Sequence, residues 1–178
     1  MSKLAKAKSI TTSLLGAAAE HYVMSQLLRR GKLAALTPSG MPFADILVSD
    51  ERGSALSAVQ VKARTQGADG GWHMSEKHEG FRESLHICCF VDFGTDVDAQ
   101  PRCWIVPSAV VADALVASYQ AWLHKPSKGG KAHVDHKMRR LRPDYSDLEL
   151  LGYGPGWLDP YKGDWGSIAN KAVAPISN

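Results

Sequence analysis

The sequence predicts an α/β fold, and three observations predict it. The hydrophobic pattern runs as a helix, then several short strands, then a second helix. The chain has 178 residues, 44% of them hydrophobic and 22% charged, which is the size and balance of one soluble domain. A domain of this length buries roughly two thirds of the surface its unfolded chain exposes, so it needs no disulfide, structural metal or repeat array. Composition thus excludes a disordered, fibrous or cysteine-stapled protein. No apolar run approaches the ~20 residues of a membrane span, and the first ten residues lack the apolar stretch of a signal peptide. The expectation is a cytoplasmic protein with no membrane partner.

Each element has a local reason. Residues 13–30 read as the first helix, with Thr11, Thr12 and Ser13 as capping candidates, Arg29 and Arg30 in the last turn, and Gly31 as the stop. Residues 32–36 suit a short strand, and residues 37–42, with two prolines and a glycine, a turn. Strands at 43–49 and 55–64 flank Asp50-Glu-Arg-Gly53 and predict a β-hairpin. A glycine-rich loop at 67–71 leads to a short strand around Trp72, and the polar run from Ser75 to Glu83 is read as helical. Strands at 85–93 and 102–106 follow, and Pro107-Ser108 opens an amphipathic helix through Leu123.

The expected organisation is a single domain over residues 1–178. Residues 1–12 form a flexible basic arm, 13–124 the core, 125–142 a mobile basic loop, and 143–178 a tail packing back on the core. The overall charge of +3 conceals a pattern, because residues 1–35 carry +5, residues 36–124 carry −5 and residues 125–142 carry +6. Clustered cations point to a polyanionic partner. Cys88, Cys89 and Cys103 lack the paired spacing of a zinc site, and adjacent Cys88 and Cys89 would face opposite sides of a strand. They are expected to be reduced core thiols.

The chemistry-bearing residues cluster early. On a helical wheel Glu20 lies within about 60° of Gly16, Ala17, Val23, Met24 and Leu27. A carboxylate on such a face calls for a cation, a metal or strong donors, or else sits at the edge of a packed stripe. In 43–48 the period of two groups Phe43, Asp45 and Leu47 on one face, and in the partner strand Ala58, Gln60, Lys62 and Arg64 share a face. If those faces align, Asp45, Gln60 and Lys62 meet. They would form either a divalent-cation site with a lysine beside it or a solvated strand face with a Lys–Asp pair.

Gly16-Ala-Ala-Ala-Glu20, Phe43-Ala-Asp45-Ile-Leu-Val48 and Val59-Gln60-Val-Lys62-Ala-Arg64 together resemble the motifs of the PD-(D/E)XK nuclease superfamily. The likeness is nearest to its small bacterial and archaeal members, including Holliday-junction resolvases and Gln-x-Lys variants. It extends over about residues 13–124, with Phe90-Val-Asp-Phe and Trp104-Ile-Val-Pro-Ser108 similar to later core strands. The resemblance implies a restriction-endonuclease-like α-β-α core around a central mixed sheet of four to five strands. It also implies a nuclease that hydrolyses DNA with Mg²⁺ or Mn²⁺, in some members as a homodimer. Glu20, Asp45, Gln60 and the Val61 carbonyl would be the metal positions, and Lys62 the lysine beside the attacking water. Two departures stand out. Ala44 replaces the usual proline, and Gln60 replaces the usual acid, so the site holds two carboxylates and should bind metal more weakly.

Arg64 and the basic stretch Lys125, Lys128, Lys131, Lys137, Arg139 and Arg140 are the expected phosphate contacts, supplying affinity rather than sequence selectivity. Trp72 is either a base-stacking platform or core; His73 and His78 are candidate general bases, and His133 and His136 are phosphate-contacting or surface groups. The competing functions are a nucleic-acid-binding module that has lost catalysis and a protein-interaction subunit.

Overall fold

The Thr11 hydroxyl accepts the Leu14 N–H and opens helix α1 (Thr12–Leu28), which stops where Gly31 takes the left-handed conformation. In the computed structural model, which describes residues 11–53, 56–65, 70–127 and 129–169, α1 is followed by strands β1 (Leu33–Leu36), β2 (Ile46–Ser49) and β3 (Leu56–Arg64). Strand β4 (Trp72–Ser75), a 3₁₀ turn at Glu76–His78, β5 (His86–Asp92), β6 (Arg102–Pro107), α2 (Ser108–His124) and β7 (Met138–Leu141) complete the main elements.

The fold is mixed α/β. Five strands form one sheet in the order β1-β2-β3-β5-β6, and β4 pairs with β7 in a separate two-stranded sheet. Only β3 and β5 run parallel; β1–β2, β2–β3 and β5–β6 are antiparallel. A parallel pair needs a long crossover, and here it is built from β4 and the 3₁₀ turn.

Alternation along β3, β5 and β6 divides the core in two. On one face Ile46, Val48, Val59, Val61, Ile87, Cys89 and Ile105 pack with Ala19, Val23 and Leu27 of α1 and with Trp165 and Ile168 beyond β7. On the other, Cys88, Phe90, Trp104 and Val106 pack with Val111 and Leu115 of α2, and with Trp72, Met74, Leu141 and Leu158. The adjacent cysteines thus enter opposite cores as free thiols, and burial pushes the Cys88 thiol up to about 12.

Three expectations are corrected, and one open alternative is decided. Strand β2 begins at Ile46 rather than 43, because Phe43 sits at a φ of 64°, a left-handed conformation that no strand accommodates. The run from Ser75 to Glu83 forms one 3₁₀ turn and no longer helix. Residues 138–141 of the expected basic loop are β7, held by its ladder to β4. Of the two readings of Trp72 the core one holds: it is wholly buried and donates its indole N–H to the Val91 carbonyl at 2.9 Å, which leaves no face for a base. The arm 1–10, residues 66–69 of the glycine-rich loop, Lys128 and the tail from 170 lie outside the described residues.

The β4–β7 pair depends on Gly71. A Cβ there would stand 2.4 Å from the Leu141 carbonyl oxygen, a backbone atom that cannot step aside. Gly71→Ala is expected to cost on the order of 1–3 kcal/mol, as overpacking does, measurable as a lowered urea midpoint.

Candidate metal and nucleic-acid site

The candidate residues lie where the β2–β3 ladder ends. Ile46 opposite Val59 is its last register pair, and the Asp45 N–H donates to the Val59 carbonyl at 2.8 Å as the final ladder bond. Two residues further along β3, Val61 again turns its backbone groups toward β2, where the strand has run out. Its N–H is met by the Asp45 carboxylate at 2.6 Å. Asp45 is thereby fixed by the backbone, one carboxylate oxygen capping an amide and the other left for a further partner. The Val61 carbonyl shares that edge of β3 with its N–H.

Glu20 approaches from α1. Its buried neighbours are Ala19, Val23 and Leu27, while Ala17 is exposed, so Glu20 stands half-buried at the border of the packed stripe rather than at its centre. Burial raises the Glu20 carboxyl above its usual value and the Asp45 charge adds to the rise, against weaker pulls from His21 and Lys62. Lys62, half-buried on β3, is lowered from the usual lysine value by burial, with Asp45 and Glu20 opposing. Glu20, Asp45 and Lys62 therefore feel one another's charge.

Gln60 is buried, and its carbonyl oxygen lies 3.0 Å from Nε2 of His78, itself buried. Nδ1 of His78 lies 3.0 Å from the Ser75 carbonyl oxygen and 3.2 Å from the Ser75 N–H and hydroxyl at the start of the 3₁₀ turn. Burial also lowers His78 below the usual histidine value. Lys77, next in the chain, lies with its ammonium 4.7 Å from the Phe43 ring centre, and its charge reaches both Lys62 and His78. Phe43 in turn stacks on Phe81 with ring centres 4.2 Å apart. Sequence reasoning did not single out Lys77; its signal was a cation next to His78, in a run read as helix.

The donors fit a hard divalent ion. Two carboxylates, an amide oxygen and a backbone carbonyl are all oxygen ligands of the kind Mg²⁺ and Mn²⁺ take. The mutual repulsion of Glu20 and Asp45 is what a cation between them would relieve. Among the described residues no three His, Cys, Asp or Glu side chains converge on a metal position, so such a site would rest on the amide and the carbonyl as well.

The other expected phosphate contacts are distributed differently. Arg64 is committed to the fully buried Asp92 at 2.9 Å, which also pairs with Arg102 at 3.1 Å, and its guanidinium lies 4.0 Å from the Trp72 ring centre. Arg139 is buried, paired with Glu79 and stacked 3.3 Å from the Tyr119 ring centre. Lys137 lies 3.7 Å from Glu76, Arg142 pairs with Asp147 at 2.8 Å, and Lys125 donates to the Asp147 carbonyl. Arg140 is half-buried and Lys131 exposed. Arg139, Arg140 and Arg142, with Tyr119, Trp122 and Tyr145, border a 430 Å³ cavity beside β7. Much of the +6 charge of 125–142 is thus balanced by acids from elsewhere in the fold.

No protein family of known description matches the chain, and no curated protein does. Among solved structures it is similar to the bacterial homing endonuclease I-Ssp6803I at 15% identity. That similarity covers 88% of this chain and 89% of the other, with a TM-score of 0.46. No helix among the described residues is long and apolar enough to cross a membrane.

Proposed function

We propose that the chain is a metal-dependent nuclease that hydrolyses phosphodiester bonds in DNA, of the PD-(D/E)XK type in its Gln-x-Lys form. The observation that carries this reading is the Asp45 carboxylate seated on the Val61 N–H at 2.6 Å. That bond holds Asp45 against β3 beside Val61 and Lys62, and the charges of Asp45 and Lys62 both act on Glu20. A bound Mg²⁺ or Mn²⁺ would supply Lewis acidity toward the scissile phosphate and its water. Glu20, Asp45, Gln60 and the Val61 carbonyl would hold it. Lys62, partly desolvated, holds the attacking water by a hydrogen bond and offsets the charge that builds on the phosphate oxygens. Lys77 is exposed, acts on Lys62 through its charge, and is the cation placed to meet the cut strand, in place of Arg64.

A panel of duplex, branched and single-stranded DNA incubated with Mg²⁺ and with Mn²⁺ tests this. Nicking that needs the metal and falls by about 10²–10⁴-fold in Lys62→Ala is the expected result. Equal cleavage by wild type and Lys62→Ala, or none in either metal, overturns it. One observation favours a second reading, a DNA-binding module without catalysis: the Gln60 oxygen already has a hydrogen-bond partner in His78. Salt-sensitive binding with no cleavage in Mn²⁺ would be its signature.

A further inference from the structure

We propose that the 430 Å³ cavity beside β7 is a pocket for a single unpaired nucleotide of a DNA strand. The inference rests on DNA as the ligand of this chain, and not on the metal site or on catalysis. Pockets that enclose compact organic ligands measure roughly 300–1,000 Å³, and this one falls within that range. A duplex cannot enter such a hollow, because its bases are stacked inside a convex rod. An unpaired or extruded nucleotide can.

The walls carry groups for both halves of a nucleotide. Arg139, Arg140 and Arg142 line the cavity against one acid, Asp147. Arg139 is committed to Glu79 and to the Tyr119 ring, so the phosphate falls to Arg140 and Arg142. Arg142 is held by Asp147 at 2.8 Å, but the side chain of that acid is 58% exposed. An exposed pair of this kind contributes little, and a phosphate offers the guanidinium the same two-pronged partner. The base meets the aromatic wall of Tyr119, Trp122 and Tyr145, face-on or edge-on. That wall is already fixed. The Tyr119 hydroxyl lies 2.6 Å from the Asp135 carboxylate, 2.7 Å from the His136 N–H and 2.9 Å from the His136 carbonyl. Trp122 stacks on His133 with ring centres 4.0 Å apart. The Tyr145 hydroxyl donates to the Arg140 carbonyl and accepts the Arg142 N–H, each at 2.9 Å, which ties the wall to the strand that carries the arginines. Side chains ordered beforehand lose little entropy when a ligand enters. The cavity is also joined to the candidate site. Lys137 lies 3.7 Å from Glu76 and Arg139 pairs with Glu79, and between these two acids stand Lys77 and His78. One short turn thus links β7 and its cavity to the cation placed to meet the cut strand.

The test measures binding of the full chain, in EDTA, to a short oligothymidylate and to an abasic strand of the same length and charge. Oligothymidylate is expected to bind about 10-fold more tightly, as one base packed on aromatic rings requires. Trp122→Leu should bring the two affinities to within about 2-fold of each other and leave abasic binding unchanged, whereas Trp122→Phe should keep most of the preference. Arg140→Gln should weaken both strands alike and lower the slope of log K against log salt by about 0.7. If circular dichroism shows Trp122→Leu unfolded, photo-cross-linking of the wild-type chain to a strand carrying 5-bromodeoxyuridine takes its place, with the cross-link expected at Tyr119, Trp122 or Tyr145. Equal affinity for the two strands in the wild type, a preference that Trp122→Leu leaves intact, or cross-links confined to other residues overturns the inference. Absence of cleavage in Mg²⁺ and Mn²⁺ overturns the nuclease reading alone, since none of these readouts uses the metal.

Discussion

Asp45→Ala is expected to abolish metal-dependent DNA cleavage, a loss on the order of 10³-fold or more, because several kcal/mol of transition-state stabilisation depend on the ion being held. The variant also removes the acceptor of the Val61 N–H. Leaving a buried amide unsatisfied costs about 1–3 kcal/mol, so a lost activity alone would not separate chemistry from folding. Asp45→Asn makes the separation. Its side-chain oxygen can still accept the Val61 N–H, while the negative charge beside Glu20 is gone. Asp45→Asn should therefore keep its melting temperature close to wild type and lose cleavage and Mn²⁺ binding as Asp45→Ala does. Near-wild-type cleavage by Asp45→Asn would count against a metal role for this residue.

The contrast between these two variants also shows what the sequence could and could not disclose. Period-two alternation was enough to put Gln60 and Lys62 on one face of β3 and to assign Cys88 and Cys89 to opposite cores. It could not place Asp45, because the strand it was counted along starts at Ile46, after Phe43 turns into the left-handed region. Asp45 reaches the site for another reason: β2 ends, β3 continues, and an unpaired N–H at Val61 needs an acceptor. That is a property of strand ends rather than of strand faces. The basic stretch failed differently. Charge counting sees Arg139 and Arg64 as free cations, whereas their partners Glu79 and Asp92 stand 60 and 28 residues away in sequence. Local sequence carries no trace of such pairings. His78 was visible as a histidine near the site, but its contact with Gln60 needed the crossover geometry, which brings together residues 18 positions apart.

The same long-range pairing predicts the largest stability effect. Asp92 ends β5 with its side chain wholly buried, receiving Arg64 at 2.9 Å and Arg102 at 3.1 Å, while the Gly94 N–H donates to its other oxygen at 2.8 Å. Asp92→Ala strips the acid from two arginines. Arg102 is substantially exposed and can turn to water, but Arg64 is held under β5 against Trp72 with only 12% of its side chain exposed. Breaking a buried pair by removing one partner costs about 3–5 kcal/mol, since the other charge is left uncompensated. For a chain of this size each kcal/mol is worth about 2–4 °C. Asp92→Ala should accordingly lower the melting temperature by roughly 10 °C. Arg64→Met should be milder, because Asp92 keeps Arg102 and the methionine still packs on Trp72. Buried pairs are little screened, so the Asp92→Ala loss should stay nearly constant between low and high salt. If Arg64 were instead a phosphate contact, Arg64→Met would leave the melting temperature unchanged and flatten the salt dependence of DNA binding. Thermal melts and binding isotherms across a salt series on these two variants decide between a structural arginine and a functional one.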